Sequence, residues 1–141
     1  MIPEEDKEPL KGGDERVMLV DDEMNILTFT KASLEKFGYR VTPFTNAVQA
    51  FQDFERHPDQ YDIVITDMTM PYMTGTELAR KLIEIRSDVP IILCTGYSEL
   101  IHREKAYAMG IAEYLEKPVI MENLIRIVQR VLSSKIKDGA T

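Results

Sequence analysis

Three short apolar runs constrain this chain more than anything else in it: Val17-Met18-Leu19-Val20, Ile63-Val64-Ile65 and Ile91-Ile92-Leu93. Each is continuous rather than alternating and mostly β-branched. A strand needs that pattern when both of its faces are covered, as in a parallel sheet flanked by helices. Arg40-Val41-Thr42-Pro43-Phe44 is more polar and contains a proline, which suits an edge strand, and Ala112-Glu113-Tyr114-Leu115 predicts a short strand at the other edge. Between these runs apolar residues recur at helical spacing: Leu27, Leu34, Phe37; Val48, Phe51, Phe54; Leu78, Leu82, Ile85; Ile101, Ala108; and Ile120, Leu124, Ile127, Val131. Asn46 with Gln49 offers a capping-box start to the second helix, and Ser98 an N-cap to the fourth. The alternation predicts an α/β fold of (βα)5 type, doubly wound about a parallel five-stranded sheet.

Length and charge divide the chain further. With 141 residues there is room for one domain, and residues 16–134 are expected to form it. Residues 1–15 carry six acidic residues and two lysines, four of the seven net negative charges, together with Pro3, Pro9, Gly12 and Gly13. They read as a flexible acidic tail or linker, and residues 135–141 as a C-terminal tail. The net charge of −7 argues against direct nucleic-acid binding, which needs clustered Lys and Arg. A single cysteine, Cys94, excludes an internal disulfide framework and a cysteine-based zinc site, so a reducing, cytoplasmic location is expected. Cys94 itself reads as a small buried apolar residue. No apolar run approaches the ~20 residues that span a bilayer, and the acidic N-terminus lacks the pattern of a signal peptide, so no membrane role is expected.

A sheet of this kind places ligands beyond the carboxyl ends of its strands. There the first strand ends in Asp21-Asp22-Glu23, the third in Asp67, the fourth in Thr95-Gly96, and the fifth runs into Lys117-Pro118. Taken singly these mean little, since Asp21-Asp22-Glu23 could be an ordinary solvated helix cap. Taken together they place three carboxylates at one point, where mutual repulsion calls for a neutralising cation. Mg2+ suits such a site, because it takes one or two carboxylates, a carbonyl and waters, and usually works with phosphate oxygens. Lys117 adds a compact positive charge and Thr95 a hydroxyl donor. An aspartate in those surroundings is a competent phosphoryl acceptor.

The runs Val17 to Glu23, Asp67-Met68-Thr69-Met70-Pro71-Tyr72-Met73-Thr74-Gly75, Thr95-Gly96 and Lys117-Pro118, in this order and spacing, resemble a response-regulator receiver domain of two-component signalling. The resemblance implies the flavodoxin-like strand order 2-1-3-4-5 and a phosphoacceptor role for Asp67, served by a histidine kinase or a phosphotransfer domain carrying phosphohistidine. It further implies Mg2+ held by Asp22 and Asp67 directly, by Asp21 through water and by the Thr69 backbone carbonyl, with Lys117 contacting the phosphoryl group. Thr95 and Tyr114 would be the switch pair, the hydroxyl moving toward the phosphoryl oxygen and the ring turning inward behind it. Without a switch role, Tyr114 would be an amphipathic edge-strand residue with its hydroxyl in water. Thr69 and Tyr97 stand where this family tunes phosphoryl lifetime. The responding surface would be the fourth helix, fifth strand and fifth helix, roughly residues 98–132, through which such domains can form homodimers.

One departure from the family pattern is Val119-Ile120, where many receivers open the last helix with Ser or Thr. His57 and His102 read as surface residues, so the chain is not expected to be a histidine kinase itself. Its own chemistry would be limited to Mg2+-dependent phosphotransfer and autodephosphorylation. A haloacid-dehalogenase-type phosphatase would need a second aspartate where Thr69 stands. A pseudo-receiver would lack the intact Asp22, Asp67, Thr95 and Lys117. Neither a Gly-x-Gly-x-x-Gly turn nor a phosphate loop is present for a nucleotide site. The lead-in and the runs Ile65 to Pro71 and Ile92 to Glu99 most resemble receivers at the C-terminus of hybrid sensor kinases, a single-domain regulator being the alternative.

Overall fold

The computed structural model describes residues 10–96 and 103–139. Its elements alternate as β1 (Arg16–Val20), α1 (Met24–Lys36), β2 (Arg40–Phe44), α2 (Ala47–Arg56), β3 (Ile63–Asp67), α3 (Gly75–Ile85), β4 (Ile91–Thr95), α4 (Arg103–Ala108), β5 (Glu113–Glu116) and α5 (Met121–Gly139). The five strands form one parallel sheet in the order β2-β1-β3-β4-β5, the flavodoxin-like arrangement. The continuous apolar runs occupy the three central strands. The polar, proline-containing run is the β2 edge, where Pro43 stands opposite Leu19.

Because successive strand residues point to opposite faces, each run is shared between two cores. On one face Met18, Val20, Val64, Ile91 and Leu93 pack against α2, α3 and α4. Fully buried Ala47, Ala50 and Ala79 let those helices lie close, and Phe54 stacks on Tyr61 with centroids 6.4 Å apart. On the other face Val17, Leu19, Ile63, Ile65, Ile92 and Cys94 meet α1 and α5.

Helix starts follow local chemistry. Asn46 caps α2, accepting hydrogen bonds from the Val48 and Gln49 amides at 2.8 and 3.2 Å. A full reciprocal capping box opens α3: the Glu77 amide donates to Thr74 Oγ1 at 3.2 Å, and the Thr74 amide to Glu77 Oε1 at 3.3 Å.

Three expectations need adjustment. Of the residues expected on the buried stripe of α5, Leu124 is buried and Ile127 and Val131 are half-buried against the same core, while Ile120 precedes the helix and is exposed. Ile125, Val128 and Leu132 complete the buried side, because the apolar stripe of a packed helix is wider than a single row of residues. The helix also runs on to Gly139, through residues expected to form a tail. Residues 10–15, expected as a solvated linker, are docked. Leu10 packs on the α1/α5 core, the Lys11 amide donates to Gln129 Oε1 at 2.9 Å, the Gly13 amide to the Phe37 carbonyl at 3.0 Å, and the Arg40 amide to the Glu15 carbonyl at 2.9 Å. The glycines there are a packing requirement rather than a linker signal: a Cβ on Gly12 would lie 2.0 Å from the Phe37 oxygen, and one on Gly38, at φ +96°, 2.2 Å from the Gly13 oxygen. Ser98, Ile101 and His102 lie outside the described residues.

Candidate functional site at the carboxyl edge of the sheet

Backbone hydrogen bonds hold the strand ends that carry the candidate residues. The Asp21 amide donates to the Phe44 carbonyl at 3.1 Å, the Met68 amide to the Cys94 carbonyl at 2.9 Å, and the Lys117 amide to the Thr95 carbonyl at 2.7 Å. The loop after β3 turns back tightly, with the Gly75 amide on the Met68 carbonyl at 2.7 Å. Only glycine fits at 75, since a Cβ there would stand 2.3 Å from the Asp67 carbonyl oxygen.

On this frame the sequence-predicted residues converge. Asp21, Asp22 and Asp67 each offer a carboxylate oxygen, all within 4.8 Å of one another. Asp21 and Asp67 are buried, whereas Asp22 is exposed at the rim. Asp21 Oδ1 accepts from the Glu23 amide at 2.9 Å, so it caps the turn into α1 as well as facing the cluster. Lys117 Nζ reaches Asp67 Oδ1 at 2.6 Å, a direct ion pair. Thr95 is fully buried and its Oγ1 has no hydrogen-bond partner among the described residues, which is costly for a hydroxyl in an apolar setting.

Thr95 and Tyr114 share one sheet face. Leu93 pairs with Tyr114 and Thr95 with Glu116, so the two side chains stand one rung apart on the α3/α4 side. Tyr114 is only 3% exposed, so its ring is packed inward rather than lying half in water. Thr69 is exposed in the loop after Asp67, and Tyr97 lies outside the described residues. His57 is exposed, as expected.

Electrostatics follow the geometry. Burial raises the Asp21 pKa above its ordinary value; the Glu23 amide opposes that, and the nearby Asp67 charge adds to it. Burial alone would lower the Lys117 pKa, but the hydrogen bond and charge of Asp67, with Asp21 behind it, outweigh burial and raise it. Cys94 is pushed up to about 12, first by burial and then by the Asp67 charge, so its thiol is inert. Three oxygen donors at a net-negative edge, two of them buried and one exposed, are the donor set that hard cations such as Mg2+ take.

One feature has no signal in the sequence. A cavity of about 640 Å³ opens beside Asp67 on the α1/α5 side, walled by Leu19, Ile65, Phe29 and Leu124 and closed by the loop through Pro118 and Val119. Its lining combines residues from five separate stretches, so no local pattern announces it.

The family model described as response regulator receiver domain matches residues 17–129. The receiver protein CpdR of Brucella abortus is 32% identical over 117 residues, 83% of this chain and 96% of its own length. Longer curated relatives are spanned in smaller part, to 22% for a two-component response regulator of Arabidopsis thaliana. A CheY-like receiver structure from Methanospirillum hungatei superposes with a TM-score of 0.82 at 30% identity, covering 90% of this chain and 100% of that one. The receiver domain of a sensor histidine kinase from Pseudomonas aeruginosa, solved with magnesium in its active-site cleft, gives 0.75 at 31% identity, covering 86% and 99%. Fold and site together define a phosphoacceptor-type signalling domain, and the chain belongs to the response-regulator receiver family of two-component signalling.

Proposed function

We propose that Asp67 is the phosphoacceptor, taking a phosphoryl group from the phosphohistidine of a histidine kinase or phosphotransfer domain. The observation that carries this is the buried Asp67 carboxylate, ion-paired to Lys117 at 2.6 Å beside Asp21 and Asp22, with the unpartnered Thr95 hydroxyl at the same edge. An Asp67 oxygen forms the new phosphorus–oxygen bond as the phosphorus–nitrogen bond breaks, and the imidazole leaves with the electron pair and takes up a proton. Asp21, Asp22, Asp67 and the Thr69 carbonyl would hold Mg2+, which when bound neutralises the carboxylates and anchors phosphoryl oxygens. Lys117 exchanges its Asp67 contact for a phosphoryl oxygen, keeping a positive charge where negative charge gathers. In the resting site the Asp67 carboxylate raises its pKa, so it stands protonated when the phosphoryl donor arrives.

Once Asp67 is modified, the Thr95 hydroxyl acquires a partner in a phosphoryl oxygen. Its movement and the inward Tyr114 ring then stabilise each other, a two-state element biased by new local charge. Tyr107 on α4 donates to Glu113 Oε1 on β5 at 2.8 Å, a link within the α4-β5-α5 face that would respond and could pair two copies. Thr69, exposed next to Asp67, and Tyr97 would set the lifetime of the phosphoryl group by admitting or excluding water, so hydrolysis stays within the site's own chemistry. No described helix is long and apolar enough to cross a membrane. We place the chain in the cytoplasm, as the receiver of a hybrid sensor kinase or as a single-domain regulator; likeness to a sensor-kinase receiver supports the first and the match over 96% of the receiver protein CpdR the second.

Incubation with acetyl phosphate and Mg2+ should add one phosphoryl mass to the wild-type chain and none to Asp67→Asn. Intact-mass spectra with no Mg2+-dependent adduct, or with an adduct that survives Asp67→Asn, would overturn the assignment.

A further inference from the structure

The loop between Asp67 and α3 carries a strain that its own folding does not require. Tyr72 has φ +72°, and among the described residues it is the sole non-glycine with a positive φ. Across it the Met73 amide donates to the Pro71 carbonyl at 2.8 Å, closing a three-residue turn of the rare and strained hand. The turn itself has a structural reason: Met70 is buried, Met73 packs against the same core, and the chain turns between these two anchors. The aromatic side chain has no such reason. Glycine adopts this φ freely, whereas a bulky residue is strained there. Nor does Tyr72 recover that strain by packing, since at 86% exposure it is the most exposed large apolar or aromatic side chain among the described residues. Strained residues persist at binding and switch sites, where holding a group in position is part of the function.

Position in the fold says what the ring meets. Tyr72 stands five residues beyond Asp67, on the loop that leaves the carboxyl edge of the sheet. A protein that brings a phosphohistidine to Asp67 has to cover that edge, whereas a small phosphoryl donor does not. An aromatic ring with few side-chain torsions loses little freedom on contact, which makes tyrosine a frequent anchor in protein interfaces. We propose that Tyr72 is a specificity-determining contact of the phosphotransfer step. Its ring docks in an apolar slot beside the phosphohistidine of the donor protein and so favours protein donors over small phosphoryl compounds. This rests on the phosphoacceptor reading of Asp67 and adds the residue that selects the donor; the bond exchange at Asp67 is unchanged.

Tyr72→Gly and Tyr72→Phe in the full chain test this. Tyr72→Gly removes the ring and relieves the turn, so it should unfold at the same denaturant midpoint as the wild type or at a higher one. Sensor-kinase cores autophosphorylated with radiolabelled ATP are screened against the wild type, and the fastest donor is kept. From that donor kcat/KM should fall about tenfold in Tyr72→Gly, chiefly through KM, and stay within about twofold in Tyr72→Phe. Labelling by acetyl phosphate and Mg2+ should proceed at the same rate in all three chains. The proposal is overturned by kinase transfer to Tyr72→Gly at the wild-type rate, or by a lowered midpoint, which would mean that the ring is packed. Parallel losses with kinase and acetyl phosphate also overturn it, since the ring would then belong to the site's own chemistry. Absence of transfer from every core, with acetyl phosphate labelling intact, removes this proposal alone; absence of labelling from both sources removes the phosphoacceptor assignment as well.

Discussion

The two faces of the sheet solve the same packing problem differently. On the α2/α3 face small alanines draw the helices in, and Phe54, Tyr61, Leu78 and Leu82 fill the space with almost no exposure. On the α1/α5 face residues of both helices line the cavity near the carboxyl edge, and α1 leaves Met24 and Phe29 each 61% exposed. Asp67 ends the strand between them. The closed face carries Thr95 and Tyr114; the coupled movement we propose for them would need a dense core, because tightly packed interiors switch between discrete arrangements rather than deform continuously. The open face borders the same carboxylates. On that reading, rigidity for the switch and access for the chemistry fall on opposite sides of one sheet.

Core truncation should separate the faces most clearly. Leu82→Ala, in the closed core, should cost about 3 kcal/mol in chemical denaturation, whereas Leu124→Ala, which borders the cavity, should cost about 2 kcal/mol because its surroundings are already incompletely filled. Equal losses would mean that the cleft closes in solution. Asp21→Asn acts at the junction and should modestly stabilise the metal-free protein at neutral pH, read as a higher midpoint in chemical denaturation, since it removes a charge that burial disfavours. Because burial raises the folded-state pKa of Asp21 above 3.8, the folded protein binds the proton more tightly than the unfolded chain. The destabilisation from its ionised form is therefore complete above the raised pKa and fades as pH falls toward 3.8. The advantage of Asp21→Asn should shrink over that interval, and an advantage that grows on acidification would contradict the buried, ionised description. Smallest of all, Phe29→Ala should shift stability by less than about 0.5 kcal/mol, since the ring faces outward; a large loss would show that the open face is covered in solution.

Much of this was legible beforehand. Continuous β-branched runs gave the buried central strands, proline marked the β2 edge, and the polar residues closing each run landed at one edge because parallel strands all end on the same side. The Thr74-x-x-Glu77 box is legible in the sequence too, its spacing being a recognised helix-start signal. The docking of residues 10–15 was not legible. Gly and Pro signal both flexible linkers and close backbone crossings, and only the partner, Phe37-Gly38, distinguishes the two. The extent of the buried side of α5 was ambiguous for a similar reason: Leu124, Ile125, Ile127 and Val128 are all apolar, and which of them are buried depends on what lies opposite.

By itself, then, the sequence determined the (βα)5 order, the parallel sheet and the identity of Asp21, Asp22, Asp67, Thr95 and Lys117 as candidates. Those properties rest on local periodicity and on which residue ends each strand. Only the tertiary structure decided that Lys117 pairs with Asp67, that Thr95 is buried on the same face as Tyr114 with no partner among the described residues, and that residues of α1 and α5 line a cavity. Each of these is a relation between residues far apart in the chain, set by how packed helices and strands share space, and no local pattern encodes it.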